Sequence, residues 1–139
     1  MPAQRIRRAR FRMDDAMTGS PSARRVLIIE DEMLIALMLQ EMLQEVGLIV
    51  EGVASTLPAG LDMARNAEAQ LAILDINLNG QEAYPIAEVL QGRGIPFIFS
   101  TGYGAGSVKP PYVSVPQLLK PYQQETLSAA IQAAFSSAA

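Results

Sequence analysis

The chain has 139 residues, half of them hydrophobic, which suffices for one domain with its own core and argues against disorder over most of its length. It contains no cysteine and no histidine, which excludes disulfides, thiolate or histidine metal sites, and catalysis by a histidine base. Any bound metal should therefore be a hard cation held by oxygen atoms.

The net charge of −3 is unevenly distributed along the chain. Residues 1–25 contain seven arginines and two aspartates, whereas the rest of the chain has four basic and twelve acidic residues. The acidic body therefore offers no basic face for nucleic acid. We interpret residues 1–23 as an Arg-rich, disordered, solvated tail and residues 24–139 as the folded domain. An arm that contacts nucleic acid or acidic partners is the alternative for the tail.

No apolar run approaches the length needed to cross a membrane. The Arg-rich start also lacks the apolar stretch of a secretory signal. We therefore expect a cytoplasmic protein that does not associate with a membrane.

Short apolar runs alternate with helical patterns after this start. The predicted strands lie at about residues 26–30, 48–54, 71–75, 96–100 and 113–118. The predicted helices lie at about residues 32–46, 56–66, 82–91 and 122–135. Residues 102–112 are rich in glycine and proline, which predicts a loop with at most one or two helical turns. The alternation predicts an α/β fold of βαβ units with right-handed crossovers and a parallel sheet.

Two helices carry apolar residues at helical spacing, which we expect to face the core. In the first helix these are Ile35, Met38, Leu39, Met42 and Val46. In the last helix they are Leu127, Ile131, Ala134 and Phe135.

Four of the predicted strands deliver polar groups where they end. These are Glu30 with Asp31, Asp75, Thr101 and Lys120. The carboxyl ends of parallel strands share one edge of an open sheet, which is where ligands bind. Carboxylates, a hydroxyl and one ammonium at such an edge suggest Mg²⁺-assisted phosphoryl transfer to a carboxylate.

Asp75 is the candidate nucleophile, because a carboxylate can accept a phosphoryl group as an acyl phosphate. An aspartate that only caps the next turn is the alternative for this residue alone. Thr101 would hydrogen-bond a phosphoryl oxygen. Lys120 would pair first with Asp75 and then with the phosphate.

The candidate Mg²⁺ ligands are Glu30, Asp31, Asp75 and the backbone carbonyl of Asn77, since Mg²⁺ favours a small number of carboxylates together with waters and phosphate oxygens. Without a cation these carboxylates would repel one another and one should titrate high. Glu32, by contrast, is explained by the preference of helix starts for acidic residues.

These motifs, in this order, resemble the receiver domain of response regulators. The strand Val26–Ile29 with its acids Glu30–Glu32 is similar to the acidic-pair strand of that family, and Leu74–Asp75 is similar to its phosphoacceptor strand. Thr101 and Lys120–Tyr122 match its switch hydroxyl and its Lys-Pro-aromatic motif. The resemblance covers about residues 24–136.

The resemblance implies a (βα)5, flavodoxin-like, doubly wound parallel sheet with strand order 2-1-3-4-5; here the fourth helix should be short or irregular. It also implies a two-component phosphorelay protein that receives a phosphoryl group on Asp75 with Mg²⁺. The donor would be a sensor histidine kinase or a histidine phosphotransfer protein. Such a protein is a switch that assists its own phosphorylation and dephosphorylation, not a metabolic enzyme.

The run Phe99–Tyr103 resembles the subgroup named for a Phe-Ala-Thr-Gly-Tyr motif ("FAT GUY"), with Ser100 in place of alanine. Its members are often stand-alone alphaproteobacterial receivers, which implies output through protein contacts without an effector or DNA-binding domain. Gln117 stands where typical receivers carry a switch aromatic, and Leu78-Asn79 replaces the usual Met-Pro. We predict that phosphorylation instead orders the 102–112 loop through Thr101, with Tyr103 repositioned.

The first helix has further apolar residues, Met33, Leu34 and Leu37. In related receivers this face docks the helical domain of the kinase; partial burial or simple scatter is the alternative.

Three other functions fit parts of the pattern. A phosphorylation-independent pseudo-receiver would bind partners without phosphate, and a phosphate sink would drain a kinase without output. A small enzyme of similar topology is disfavoured, because Glu30–Glu32 stand where a flavodoxin-like phosphate loop would lie, and Asn77 stands where a haloacid-dehalogenase-type phosphatase needs a second aspartate.

Overall fold

The computed structural model describes residues 24–102 and 108–138. Within them, the strands are β1 Arg25–Ile29, β2 Ile49–Ala54, β3 Leu71–Asp75, β4 Asn77–Leu78, β5 Gln81–Glu82, β6 Phe97–Thr101 and β7 Gln117–Leu119. The helices are α1 Met33–Glu45, α2 Leu57–Asn66, α3 Tyr84–Gly92 and α4 Gln124–Ala138. The predicted tail, residues 1–23, lies outside the described residues.

Five strands form one parallel sheet in the order β2-β1-β3-β6-β7, and β4 and β5 form a separate antiparallel hairpin. This confirms the predicted α/β class and the order 2-1-3-4-5, with β6 and β7 as the fourth and fifth strands of the sheet. Between β6 and β7, the described residues 108–116 contain no helix. Residues 103–107, on which the rest of the loop prediction falls, lie outside the described part.

Helices cover both faces of the sheet, which explains why β1 and β3 read as continuous apolar runs. One face packs against α1 and α4 and includes Ile28, Ile73 and Ile98. The other face packs against α2 and α3 and includes Leu74 and Phe99. Because both layers are apolar, the polar residues of these strands are left at the edge of the sheet.

The predicted strand at 113–118 was wrong at its start, because β7 contains only Gln117–Leu119. Residues 113–115 form turns instead, with Tyr112 N–H donating to the Lys109 carbonyl at 2.9 Å and Val115 N–H donating to the Tyr112 carbonyl at 3.0 Å. Pro116 adds a position without an N–H, so the apolar valines alone could not sustain a ladder.

The predicted core stripe of α1 was wrong at Met38, which is 38% exposed. Ala36, Leu39 and Leu43 are the buried residues of this helix. The helix has more apolar residues than one stripe can hold, so periodicity alone did not determine which face is inward. In α4, Leu127, Ile131 and Ala134 are buried as predicted, with Phe135 partly buried against them.

The β4–β5 hairpin was not predicted, although its signal is present in the sequence. Asn79 and Gly80 both have positive φ, 54° and 87°, as the two central residues of a tight hairpin turn require. Gly80 N–H donates to Asn77 Oδ1 at 2.7 Å, which closes the turn.

Gly60 gives a test of the packing between α2 and its neighbours. A Cβ at this buried position would lie 2.6 Å from Ile86 Cδ1 and 3.2 Å from Ile29 Cγ2. We expect Gly60→Ala to lower the free energy of unfolding by about 1 kcal/mol, because overpacking costs about 1–3 kcal/mol and the better helix former returns about 1 kcal/mol.

The matched control is Gly92→Ala in α3, where a Cβ would meet no atom within 4 Å. It should leave stability unchanged or raise it slightly. Denaturant unfolding of the two variants measures the difference, and equal midpoints would contradict the packing argument.

Candidate functional site

The carboxyl edge of the sheet collects the predicted site residues. Asp75 ends β3, Thr101 ends β6, and Glu30 and Lys120 directly follow β1 and β7. Backbone hydrogen bonds fix the register of the strand ends. Lys120 N–H donates to the Thr101 carbonyl at 2.9 Å, and Glu30 N–H donates to the Ala54 carbonyl at 2.9 Å. The structure therefore brings together four residues that span 90 positions of the sequence, from Glu30 to Lys120.

Lys120 forms ion pairs with two buried carboxylates. Its Nζ lies 3.0 Å from Asp75 Oδ2, 3.0 Å from Glu30 Oε1 and 3.3 Å from Glu30 Oε2. The side chains of Lys120, Asp75 and Glu30 are 17%, 8% and 2% exposed. Two carboxylates thus share one ammonium in a region with little water, which leaves a surplus of negative charge.

The pKa values of these three groups are shifted by their burial and by their mutual interactions. Burial raises the pKa of Glu30 to about 7, even though the Glu32 N–H and Lys120 donate to it. Burial also raises the pKa of Asp75, and its hydrogen bond with Lys120 offsets only part of the increase. Burial disfavours the charged form of Lys120, but the bonds to Asp75 and Glu30 outweigh it and raise the pKa of the ammonium.

Asp31 lies beside this cluster and is held by the hairpin. Its Oδ2 accepts a hydrogen bond from Asn79 N–H at 2.9 Å, and Asp75 Oδ1 accepts one from Asn77 N–H at 3.2 Å. Partial burial works against the charge of Asp31, but the Asn79 bond and hydrogen bonding with Glu30 and Asp75 lower its pKa. The pKa of Asp31 is therefore shifted in the opposite direction from the pKa values of Glu30 and Asp75.

The residues present fit a hard divalent cation. Carboxylate oxygens of Glu30, Asp31 and Glu32 lie within 4.8 Å of one another, and Asp75 adjoins them through its interaction with Glu30. All these donors are oxygens, the set that suits Mg²⁺, and a cation would neutralise the charge that Lys120 leaves uncompensated.

Glu32 was missed as a member of this cluster. The sequence interpretation assigned it to the helix start, and it is indeed the residue before α1. Its carboxylate nevertheless lies 3.9 Å from Lys120 Nζ, although its side chain is 63% exposed. The signal that could have found it is its place in an unbroken run of three acids.

A buried pair of hydroxyls lies next to the acidic cluster and was also missed. Ser100 Oγ and the Tyr122 hydroxyl are hydrogen-bonded to each other, with Ser100 1% and Tyr122 8% exposed. Burial raises the pKa of the Tyr122 phenol to about 12. The signal was the serine at a position where the resembled subgroup has alanine.

Gln117 occupies the position of the usual switch aromatic and is partly buried. Its Oε1 is buried and has no hydrogen-bond partner among the described residues. The aromatic rings lie elsewhere: Tyr84 stacks on Tyr112 with centroids 5.6 Å apart, and Phe99 contacts both at 5.7 and 5.9 Å. The predicted repositioning of Tyr103 falls on a residue outside the described part.

Comparison with known proteins identifies the family. The response regulator receiver domain profile matches residues 26–132, so the chain belongs to the response regulator receiver domain family. Among solved structures, the chain is similar to SdrG from Sphingomonas melonis Fr1, with 35% identity, a TM-score of 0.74, and coverage of 81% of this chain and 97% of that chain. A comparison with curated proteins finds no match.

Two further solved structures show the range of the similarity. SdrG in its BeF3-activated conformation, from Pseudomonas melonis Fr1, is 36% identical with a TM-score of 0.70, and 82% of this chain and 98% of that chain are covered. The response regulator PhyR from Brucella abortus is 30% identical with a TM-score of 0.71, and the match covers 84% of this chain but 49% of PhyR.

None of the helices in the described residues is long and apolar enough to cross a membrane.

The raised pKa of Glu30 predicts a pH dependence of stability. In the folded state this pKa is about 7, against an ordinary value of 4.5, so the folded protein binds more protons than the unfolded chain between those pH values. The free energy of unfolding should therefore fall by roughly 2–3 kcal/mol as the pH rises from about 4.5 to 7 in the presence of a chelator, since one pKa unit corresponds to about 1.4 kcal/mol.

Denaturant unfolding across this range measures the effect. Glu30→Gln should flatten the curve, whereas Glu41→Gln, an exposed acid on α1, should leave it unchanged. A wild-type stability that rises between pH 5 and 7 would contradict the assignment, because the sign is fixed by proton binding to the folded state.

Proposed function

We propose that this receiver domain accepts a phosphoryl group on Asp75, with Mg²⁺ held by Glu30, Asp31, Asp75 and the backbone carbonyl of Asn77. The observation that carries the proposal is the position of Lys120 Nζ, 3.0 Å from Asp75 Oδ2 and 3.0 Å from Glu30 Oε1, at the carboxyl edge of the sheet. A carboxylate, an ammonium and a group of further carboxylates at one edge are suited to phosphoryl transfer by positioning and electrostatics.

The transfer would take place between Asp75 and a phosphohistidine donor. A carboxylate oxygen of Asp75 attacks phosphorus as the P–N bond of a phosphohistidine breaks, and the departing imidazole nitrogen keeps the bonding electrons. Lys120 compensates negative charge on the phosphoryl oxygens, and the hydroxyl of Thr101 donates a hydrogen bond to one of them. Bound Mg²⁺ would neutralise charge on the same oxygens.

These 139 residues contain no histidine, so none of them can serve as a phosphohistidine donor. We propose a sensor histidine kinase or a histidine phosphotransfer protein, as receiver-domain membership implies. The similar protein SdrG has been solved in a BeF3-activated conformation, and trifluoroberyllate is an analogue of a phosphoryl group. The protein would act as a cytoplasmic switch, not as a metabolic enzyme.

We further propose that output occurs through protein contacts, as in stand-alone receivers of the Phe-Ala-Thr-Gly-Tyr subgroup. Support comes from the match to SdrG, which covers 97% of that chain, and from Phe99–Gly102. A phosphate sink has the same chemistry but no output partner, so a phosphorylation-dependent binding partner separates the two.

Acetyl phosphate with Mg²⁺ should add one HPO₃ unit to the wild-type protein, because the acidic edge can bind the cation and Asp75 can act as the nucleophile. Intact-protein mass spectrometry measures the adduct. Asp75→Asn keeps the size of the side chain and should show no adduct, and a chelator should prevent the reaction in the wild type.

An equal adduct on Asp75→Asn would place the acceptor elsewhere. No adduct from acetyl phosphate, nor from any phosphorylated kinase in a panel, would favour the phosphorylation-independent pseudo-receiver.

The exposed face of α1 is the proposed kinase contact. Met33, Leu34 and Leu37 are 61%, 81% and 49% exposed, and Met38 joins them at 38%. Four apolar side chains exposed on one helix fit a helix-on-helix contact better than isolated surface residues would.

Leu34→Glu should slow transfer from a phosphorylated kinase about tenfold or more while leaving acetyl phosphate labelling unchanged, because central apolar contacts contribute about 1–2 kcal/mol or more each. The control is Val113→Glu, which makes the same apolar-to-acidic change at an exposed residue away from α1. Equal loss in both variants, or loss of labelling by acetyl phosphate in Leu34→Glu, would contradict a docking role.

A further inference from the structure

We propose that the buried Ser100–Tyr122 hydroxyl pair is a positioning device for Lys120. The proposal rests on the function proposed above in that Lys120 serves phosphoryl transfer to Asp75. Ser100 and Tyr122 would not contact the phosphoryl group, and they act through the backbone next to Lys120.

The register of the sheet places the pair directly beside the site. Ser100 on β6 is the partner of Asp75 on β3, and paired residues on neighbouring strands point to the same face. That face is the one covered by α1 and α4, and the Tyr122 ring belongs to its core. The hydrogen bond therefore links β6 to the segment after β7, across 22 residues of sequence.

Two consecutive residues of β6 anchor the chain on both sides of Lys120. On the near side, the Thr101 carbonyl accepts the N–H of Lys120 itself at 2.9 Å. On the far side, Ser100 holds Tyr122 two residues later. Pro121 between them has no N–H to offer, and its side chain is exposed. After Tyr122, Gln124 Nε2 donates to the Met42 carbonyl at 3.0 Å, so among the described residues the hydroxyl pair is the hydrogen bond that holds the chain nearest to Lys120 on this side.

The two hydroxyls indicate that this pair fixes the position of the Tyr122 segment and does not only fill space in the core. An alanine and a phenylalanine would fill this space with apolar atoms, but they would not fix the ring tip to a particular point on β6. A hydrogen bond is directional, and each buried hydroxyl needs the other, because an unpartnered buried hydroxyl is destabilising. Lys120 Nζ lies 3.0 Å from both Glu30 Oε1 and Asp75 Oδ2, and a fixed backbone lowers the conformational cost of holding its flexible side chain in that position.

The chain offers an internal reference for the test, since Lys109 and Lys120 are its only lysines. The Lys109 side chain is 61% exposed, whereas that of Lys120 is 17% exposed and held between two carboxylates. Brief acylation with an amine-reactive ester, followed by peptide mass spectrometry, gives the ratio of Lys120 to Lys109 labelling. This ratio reports how firmly Lys120 is held and requires no phosphorylation.

The variants are Ser100→Ala, Tyr122→Phe and the double variant Ser100→Ala/Tyr122→Phe. Each should raise the labelling ratio about fivefold, the factor that corresponds to one hydrogen bond of typical strength. The initial rate of acetyl phosphate labelling at Asp75 should fall by a similar factor. The denaturation midpoint should fall in the two single variants and recover in the double variant, where no hydroxyl is left without a partner.

Thr56→Ala is the control for general destabilisation. Thr56 caps α2 by accepting a hydrogen bond from Ala59 N–H, and its loss should lower stability without touching the site. Its labelling ratio should equal that of the wild type.

A wild-type ratio in the folded single and double variants would overturn the proposal and leave a purely structural pair. An equal rise in Thr56→Ala would overturn it too. If Tyr122→Phe does not fold, Ser100→Ala alone decides. If the wild type accepts no phosphoryl group, the proposed function fails while the labelling ratio still tests positioning.

Discussion

The ammonium of Lys120 is the interaction on which the carboxyl edge depends. Glu30 and Asp75 are both buried, and ionising either one there without a nearby cation costs desolvation free energy. Lys120 reaches both, yet it supplies one positive charge for two negative ones. Burial, with a smaller contribution from the charge of Asp75, raises the pKa of Glu30. The surplus of negative charge also favours binding of a second cation at this edge. In the absence of metal, the buried carboxylates that would bind a cation therefore lower the stability of the folded protein.

The two faces of the sheet contribute differently to the site. The face under α1 and α4 carries Tyr122, whose hydroxyl fixes the segment after β7. The face under α2 and α3 carries the rings of Tyr84, Phe99 and Tyr112, which hold the described part of the connection between β6 and β7. Lys109 joins this connection to the hairpin through Glu82 at 2.9 Å. The absence of an aromatic at Gln117 is thus accompanied by an aromatic cluster on the strand and helix beside it.

The sequence predicted what local chemistry determines. The bounds of β3 agree with the prediction, because a short apolar run flanked by polar residues is typical of a central strand in a parallel sheet covered on both faces. That Glu30, Asp75, Thr101 and Lys120 would lie together could be predicted because strand ends share an edge in this topology. The predicted strand at 113–118 was wrong for residues 113–116, because turn hydrogen bonds and Pro116 outweigh β-branched side chains there. The Ser100–Tyr122 bond was missed, because the serine in place of alanine indicates a possible polar contact but does not identify a partner 22 residues away.

The turn at Asn79–Gly80 constrains how this sequence can diverge. Asn79 has a φ of 54° and donates its N–H to Asp31, and a proline at this position could do neither. The Met-Pro pattern of many receivers therefore cannot be reached from this chain by changing residue 79 alone. The turn, its glycine and the hydrogen-bond partner of Asp31 would have to change together. Residues 77–80 should thus be inherited as a block, which makes this short hairpin a marker of descent within the receiver family.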